Sequence, residues 1–190
     1  MTKKISQLGL FLALALILAY VESLIPFSFG IPGLKLGLPN LIVVMLLCGG
    51  SAGRSSGYSN EAVGNVTSRN GAKEAILVNG LRIVLSGFLF SNLYTILYAF
   101  AGAILSFIAM LIGRRMGCFS VVGVSVLGGV CHNIGQILVA MFVVKTVYVG
   151  YYVPVLIVVG TVTGALLGIV AMELMPYVVR LSEHGRRVEG

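Results

Sequence analysis

The chain has 190 residues, of which 58% are hydrophobic and only 10% charged, with a mean hydropathy of +1.03. A soluble domain carries roughly 25% charged residues, so the composition excludes a soluble globular protein and predicts one membrane-embedded domain over residues 1–190. The formal net charge is +7, but the basic residues gather at the ends of apolar runs and form no stripe with interleaved aromatics, which excludes a nucleic-acid binder.

The apolar runs predict an all-α bundle of about six transmembrane helices. The first runs from about Leu8 to Ile25 and is interrupted only by Glu22. Lys3 and Lys4 ahead of it also fit a signal peptide with cleavage near Ala19. The run is longer than a typical signal core and five more spans follow, so an uncleaved first helix is the reading. The second, about Leu36 to Cys48, is short of the ~20 residues a crossing needs. Tilt, or extension through Pro26 to Gly33, completes it. Gly49 to Gly71 is rich in Gly, Ser and Asn and predicts a flexible cytoplasmic loop, over about residues 49–73.

The third span, about Ala75 to Ser91, contains Arg82. The fourth, about Leu93 to Ile112, has no charge, and the fifth, about Phe119 to Val144, contains only His132. The sixth runs from about Tyr151 to Met175, with Glu173 at its far end. With both termini in the cytoplasm, Lys3, Lys4, Arg54, Arg69, Lys73, Arg114, Arg115, Arg180, Arg186 and Arg187 all fall inside. Only Lys35 and Lys145 fall outside, as the positive-inside rule requires of an even number of spans. Tyr148, Tyr151 and Tyr152 then belong to an outer aromatic belt, and Tyr177 to the inner face.

Small residues recur one turn apart: Ala15 and Ala19 on the first helix, and Gly160, Gly164 and Gly168 on the sixth. Such faces let helices approach closely in lipid. For the glycines, packing within the bundle is the favoured reading. For Ala15 and Ala19, internal packing and the docking of another membrane subunit stand level. Cys48, Cys118 and Cys131 match neither a disulfide framework nor a zinc pattern and read as small apolar fillers. Asn65-Val66-Thr67 fits a glycosylation acceptor, a short pattern that occurs by chance.

Polar residues inside the apolar runs are costly at membrane depth and point to function. Asn79, Arg82 and Ser86 share one helical face, and so do Gly129, His132, Asn133 and Gln136. Glu22, Lys35 and Asn40 come near the outer ends of the first two spans, while Asn92 and Tyr94 cap the outer turn between the third and fourth. Together they predict a funnel open to the outside with polar groups down to the midplane. Arg82 and Lys35 against Glu22 leave a net charge of +1, which favours an anionic or zwitterionic ligand. The competing reading is structural: Arg82 and Glu22 neutralise each other across two helices, while His132 and Gln136 bridge helices by hydrogen bonds. Glu74 and Glu173, at span ends, read as interfacial.

What is missing narrows the class. There is no Asp, and the six acids are Glu22, Glu61, Glu74, Glu173, Glu183 and Glu189. Helical prenyl diphosphate synthases hold magnesium on the diphosphate with Asp-rich clusters, so catalysis by that route is excluded. No GxxxxGK[ST] loop is present to power the chain with ATP. No Ser/His/acid arrangement appears, and His132 and His184 alone make a zinc site improbable. The residues call for no cofactor and argue for a binding or transport subunit rather than an enzyme.

Three strings carry a family likeness: Ile31-Pro-Gly-Leu-Lys35-Leu-Gly-Leu-Pro-Asn40, Leu81-Arg82-Ile-Val-Leu-Ser86-Gly, and Gly128-Gly-Val-Cys-His132-Asn133-Ile-Gly135-Gln136. They resemble the Gx transporter family, whose members are often labelled heptaprenyl diphosphate synthase component I. That family is similar in turn to the substrate-binding S-components of energy-coupling-factor transporters. The likeness covers nearly the whole chain except Gly49 to Gly71, with His-Asn-x-Gly-Gln its most specific part. Gly49 to Gly71, where the family tends to have a short connector, and Pro39, where a small residue is more usual, depart from the pattern.

The resemblance implies a six-helix S-component fold that binds a scarce nutrient from outside. It implies association with a transmembrane coupling subunit and two cytoplasmic ATPases, with Ala15 and Ala19 mapping to the surface that meets the coupling subunit. On this reading Arg82 anchors the ligand's negative group, Glu22 and Lys35 select at the mouth, and His132, Asn133 and Gln136 read its polar edge. The alternative is an accessory membrane subunit of polyprenyl diphosphate synthesis, with Arg82 and Lys35 facing the diphosphate. A third reading is a purely structural bundle subunit.

Overall fold

A computed structural model of the chain describes residues 2–24, 35–52, 71–90 and 92–187. Among them are six α-helices and no strand: α1 Thr2–Leu24, α2 Asn40–Ala52, α3 Gly71–Phe90, α4 Leu93–Met116, α5 Val121–Val144 and α6 Val153–Arg187. A 3-10 turn, Val147–Tyr152, joins α5 to α6.

The ends of the helices follow from local chemistry. Asn92 starts α4, its side chain accepting the amide of Thr95, and Ser120 starts α5 by accepting the amide of Gly123. A capping oxygen supplies the acceptor that the first helical amides lack. Gly117 ends α4 with φ +68°, a left-handed conformation that glycine adopts at no steric cost. Arg114 and Arg115 lie in the last turn of α4, where cations complement the carbonyl end of the helix.

Four segments are long and apolar enough to cross a membrane: Ile5–Leu24, Leu93–Met116, Val121–Val144 and Val147–Tyr177. The expected six helices are present among the described residues, but only these four of them are long and apolar enough to span by length and composition. α3 falls short because Lys73, Glu74 and Arg82 interrupt it. α2 falls short because its 13 residues reach only about 20 Å, against the roughly 30 Å of a hydrocarbon core. The expected second span began at Leu36, but the helix begins at Asn40. The polar loop expected over residues 49–73 is shorter at both ends, since α2 continues to Ala52 and α3 starts at Gly71. Residues 53–70, with the Asn65 acceptor pattern, lie outside the described residues, as does the Pro26 to Gly33 extension.

α2 is buried on every side. Each residue from Leu41 to Cys48 is at most 7% exposed, the condition of a helix that is hydrophobic all round. It packs against α3, α5 and α6. Phe11 and Ala15 of α1, Ala75 and Val78 of α3, and Ala171 and Met175 of α6 complete the same core.

α5 is the centre of the molecule and runs against both α4 and α6 through glycines. A methyl group at Gly164 would lie 2.7 Å from the Cα of Val126, and one at Gly168 would lie 2.7 Å from the Cα of Val122. On the other side, a methyl at Gly135 would lie 2.7 Å from the carbonyl oxygen of Ala101. Backbones therefore meet directly across both interfaces, where close van der Waals packing replaces the hydrophobic drive that lipid removes. The Gly160, Gly164 and Gly168 series packs α6 onto α5.

Candidate functional site

α3 brings Asn79, Arg82, Ile83, Ser86 and Gly87 to the inside while Leu81, Val84, Leu85 and Phe88 point out. The 3.6-residue period alone sorts them. Arg82, 5% exposed, donates from Nη2 to Asn79 Oδ1 at 2.5 Å. Its Nε is buried and has no hydrogen-bond partner among the described residues. Ser86, one turn further, donates to the carbonyl of Ile83 at 3.4 Å. A buried guanidinium with an unmet donor is costly unless a partner is supplied.

The segment ahead of α2 supplies the second part. Gly37 has φ +82°, and its amide and that of Leu38 both point at one carboxylate oxygen, Glu22 Oε1, near the end of α1. The Leu38 bond is 3.3 Å. Successive amides turned to one side make a small anion-binding concavity, and here a side chain of the same protein fills it. Glu22 also lies near enough to interact electrostatically with both Arg82 and Lys35. The chain then winds into α2 through short bonds, Asn40 N to Gly37 O at 2.9 Å and Leu41 N to Leu38 O at 3.1 Å. Pro39, which is fully buried, has no amide to leave unpaired.

α5 supplies the third part. The amide of Lys35 donates to Gln136 Oε1 at 3.4 Å, and Gln136 Nε2 lies 3.1 Å from His132 Nε2. With its oxygen taken by the Lys35 amide, Gln136 presents its NH2 group to the ring, so His132 Nε2 accepts and the ring proton sits on Nδ1. Nδ1 faces the backbone of Gly102 without a hydrogen bond of ordinary geometry. A methyl at Gly102 would stand 2.9 Å from that atom, and one at Gly37 would stand 3.3 Å from His132 Cδ2. The ring is clamped between two glycines from different segments. Asn133 donates from Nδ2 to the carbonyl of Leu156 on α6 at 2.9 Å, a reach that the bare backbone of Gly160 permits.

The structure thus gathers Glu22, Lys35, Asn40, Arg82, His132 and Gln136 around the start of α2, with Ser86 one turn beyond Arg82 and Asn133 turned towards α6. Glu22, Asn40, Arg82, His132, Asn133 and Gln136 are each at most 5% exposed, and Lys35 is half-buried. Asn92 stands apart: it is exposed, and its oxygen is spent on the amide and hydroxyl of Thr95 at 3.0 and 2.9 Å. Tyr94 is exposed as well. Ala15 and Ala19 are 2% and 1% exposed inside the chain, so a partner could touch them only if α1 moved away from its neighbours. Among the described residues no three His, Cys or acidic groups gather as a metal set.

Sequence reasoning passed over the backbone amides of Gly37 and Leu38, the Leu156 carbonyl, and Gly102. The one signal in the sequence was Gly37-Leu38-Pro39-Asn40 just before an apolar run, which marks a turn into a helix. Nothing in the sequence could have paired Asn133 with a main-chain oxygen 23 residues away.

Comparison with curated proteins and with solved structures gives no match. A family model described as heptaprenyl diphosphate synthase component I matches residues 52–174. That span contains Asn79, Arg82, Ser86, His132, Asn133 and Gln136, and stops short of Glu22, Lys35 and Asn40. By a match over more than half its length, the chain belongs to the heptaprenyl diphosphate synthase component I family.

Proposed function

We propose that the chain is the solute-binding membrane subunit of an uptake system for a small anionic or zwitterionic compound. The observation that supports this most directly is Arg82, buried near the start of α2 with its Nε–H unpaired. A ligand oxygen would meet that donor. Arg82 is the anchor. Lys35 and Glu22 set the field beside it, and two cations against one acid leave the site a net +1.

The hydrogen bonds assign His132 and Gln136 a second task. Gln136 fastens the segment before α2 to α5, with His132 bonded to it on the same helix, while Asn133 fastens α6 to α5. The chain has no nucleotide-binding loop, so the energy comes from a separate module, and the family's description as a component fits a partner subunit. We place both termini in the cytoplasm, as the distribution of Lys and Arg favours.

The second reading, an accessory role in polyprenyl diphosphate synthesis, draws on the family description. A polyprenyl diphosphate brings two phosphoryl groups to a site with net charge +1 and one unmet Arg82 donor, where a single carboxylate or phosphate matches more closely.

The test is purification from the native host in mild detergent, with co-purifying proteins and released small molecules identified by mass spectrometry. A coupling subunit with ATPases, or a bound metabolite lost in Arg82→Ala but not in Gly9→Ala, supports uptake. A soluble Asp-rich prenyl synthase as the partner overturns it.

A further inference from the structure

We infer that the solute is an anion without a cationic group, presenting the oxygens of a carboxylate or a phosphate to Arg82. This rests on the binding reading above and narrows it, because a zwitterion is excluded.

The acids with described side chains are Glu22, Glu74 and Glu173. Glu74 lies eight residues before Arg82 on α3, about 12 Å along the helix axis, and Glu173 lies exposed on α6. Of these three only Glu22 is at the site, and its Oε1 already takes the amides of Gly37 and Leu38. The same carboxylate is shared electrostatically by Arg82 and Lys35. A ligand ammonium would have to compete with two backbone donors and two fixed cations for one acid.

Three neutral acceptors nearby are engaged as well. Asn79 Oδ1 holds Arg82, Gln136 Oε1 holds the Lys35 amide, and His132 Nε2 faces Gln136 Nε2. On the donor side the balance is reversed, because Arg82 Nε–H is buried and unpaired. Among the described residues the site offers an unmet donor and a positive balance of charge. An oxygen with negative charge satisfies both deficits; an ammonium satisfies neither and meets like charge at short range.

The test uses the purified full chain in detergent, in a Cys118→Ser background, with thermal unfolding read by a thiol-reactive dye through buried Cys48. It is titrated with two sets of small probes. One set is acetate, lactate, succinate, inorganic phosphate and glycerol phosphate; the other is glycine, alanine and betaine. Molecules released from the native preparation by denaturation are identified in parallel. The expected result is a rise in melting temperature with members of the first set only, or release of a molecule that is anionic and lacks an amine. Which members act separates a carboxylate from a phosphate. The effect is lost in Arg82→Ala and weakened in Arg82→Lys, which keeps the charge but not the planar fork. Stabilisation by the second set, or release of an amine-bearing metabolite, overturns the inference and leaves the binding reading standing. No shift with either set and no released solute sinks both.

Discussion

The carboxylate of Glu22 accepts the main-chain amide of Gly37, fifteen residues further on, so the end of α1 is tied to the turn that opens α2. The acid is therefore part of the architecture as well as of the field around Arg82. Glu22→Ala leaves the amides of Gly37 and Leu38 without their acceptor and two cations without their counter-charge. Loss of one partner of a buried charge cluster costs about 3–5 kcal/mol. Thermal unfolding read through Cys48 in a Cys118→Ser background should fall steeply for Glu22→Ala and less for Glu22→Gln, which keeps an acceptor oxygen. Equal melting of all three proteins would refute the tie.

Gly37 is the residue that lets two amides turn towards one oxygen. At φ +82° a side chain costs roughly 1–2 kcal/mol. The added methyl would also press to 3.1 Å from Asn40 Nδ2 and 3.3 Å from His132 Cδ2. Gly37→Ala should lower the melting temperature and speed hydrogen exchange at Leu38. Unchanged exchange there would mean that the turn does not depend on the left-handed glycine.

Glycines should divide sharply by what surrounds them. A methyl at Gly129 would run into the carbonyl oxygen of Gly160, with the Cα of Gly164 at 3.2 Å. Gly129→Ala should destabilise by about 1–3 kcal/mol, the usual cost of overpacking. A methyl at Gly9 or Gly80 meets nothing within 4 Å, and replacing a mid-helix glycine by alanine gains about 0.5–1 kcal/mol. Melting curves of the three variants should therefore fall on opposite sides of the parent.

The three cysteines report exposure and orientation. Cys118 is exposed between α4 and α5, Cys131 is intermediate, and Cys48 is buried. A membrane-impermeant maleimide should modify Cys118 in permeabilised cells and leave it untouched in intact ones. Labelling of intact cells would overturn the proposed orientation.

Much of the site could be read from spacing because a helix sorts residues by period. Asn79, Arg82 and Ser86 fall on one face of α3, and His132, Asn133 and Gln136 come inside on α5, as their intervals indicate. Spacing fails where the partner is main chain. Glu22 reads as a charge at a mouth, yet it binds two amides; Asn92 reads as a lining group, yet it caps a helix. The length of α2 was hidden for a related reason: Leu36 and Leu38 extend its apolar run although Gly37 and Pro39 shape a turn. Ala15 and Ala19 show the limit most plainly, since one small-residue motif fits a neighbouring helix of the same chain and a foreign one equally well.

The glycine contacts of α5 with α4 and α6 weld three helices into a slab whose backbones touch, and His132, Asn133 and Gln136 are set in its face. α2 and α3, which carry Asn40 and Arg82, rest on that slab, and α1, which carries Glu22, packs on α3 and α2. The candidate site is consequently a seam between a stiff half and a softer half. A solute held by Arg82 on one side and bounded by His132 on the other would act as a rivet, reporting its presence as a change in how the halves fit together.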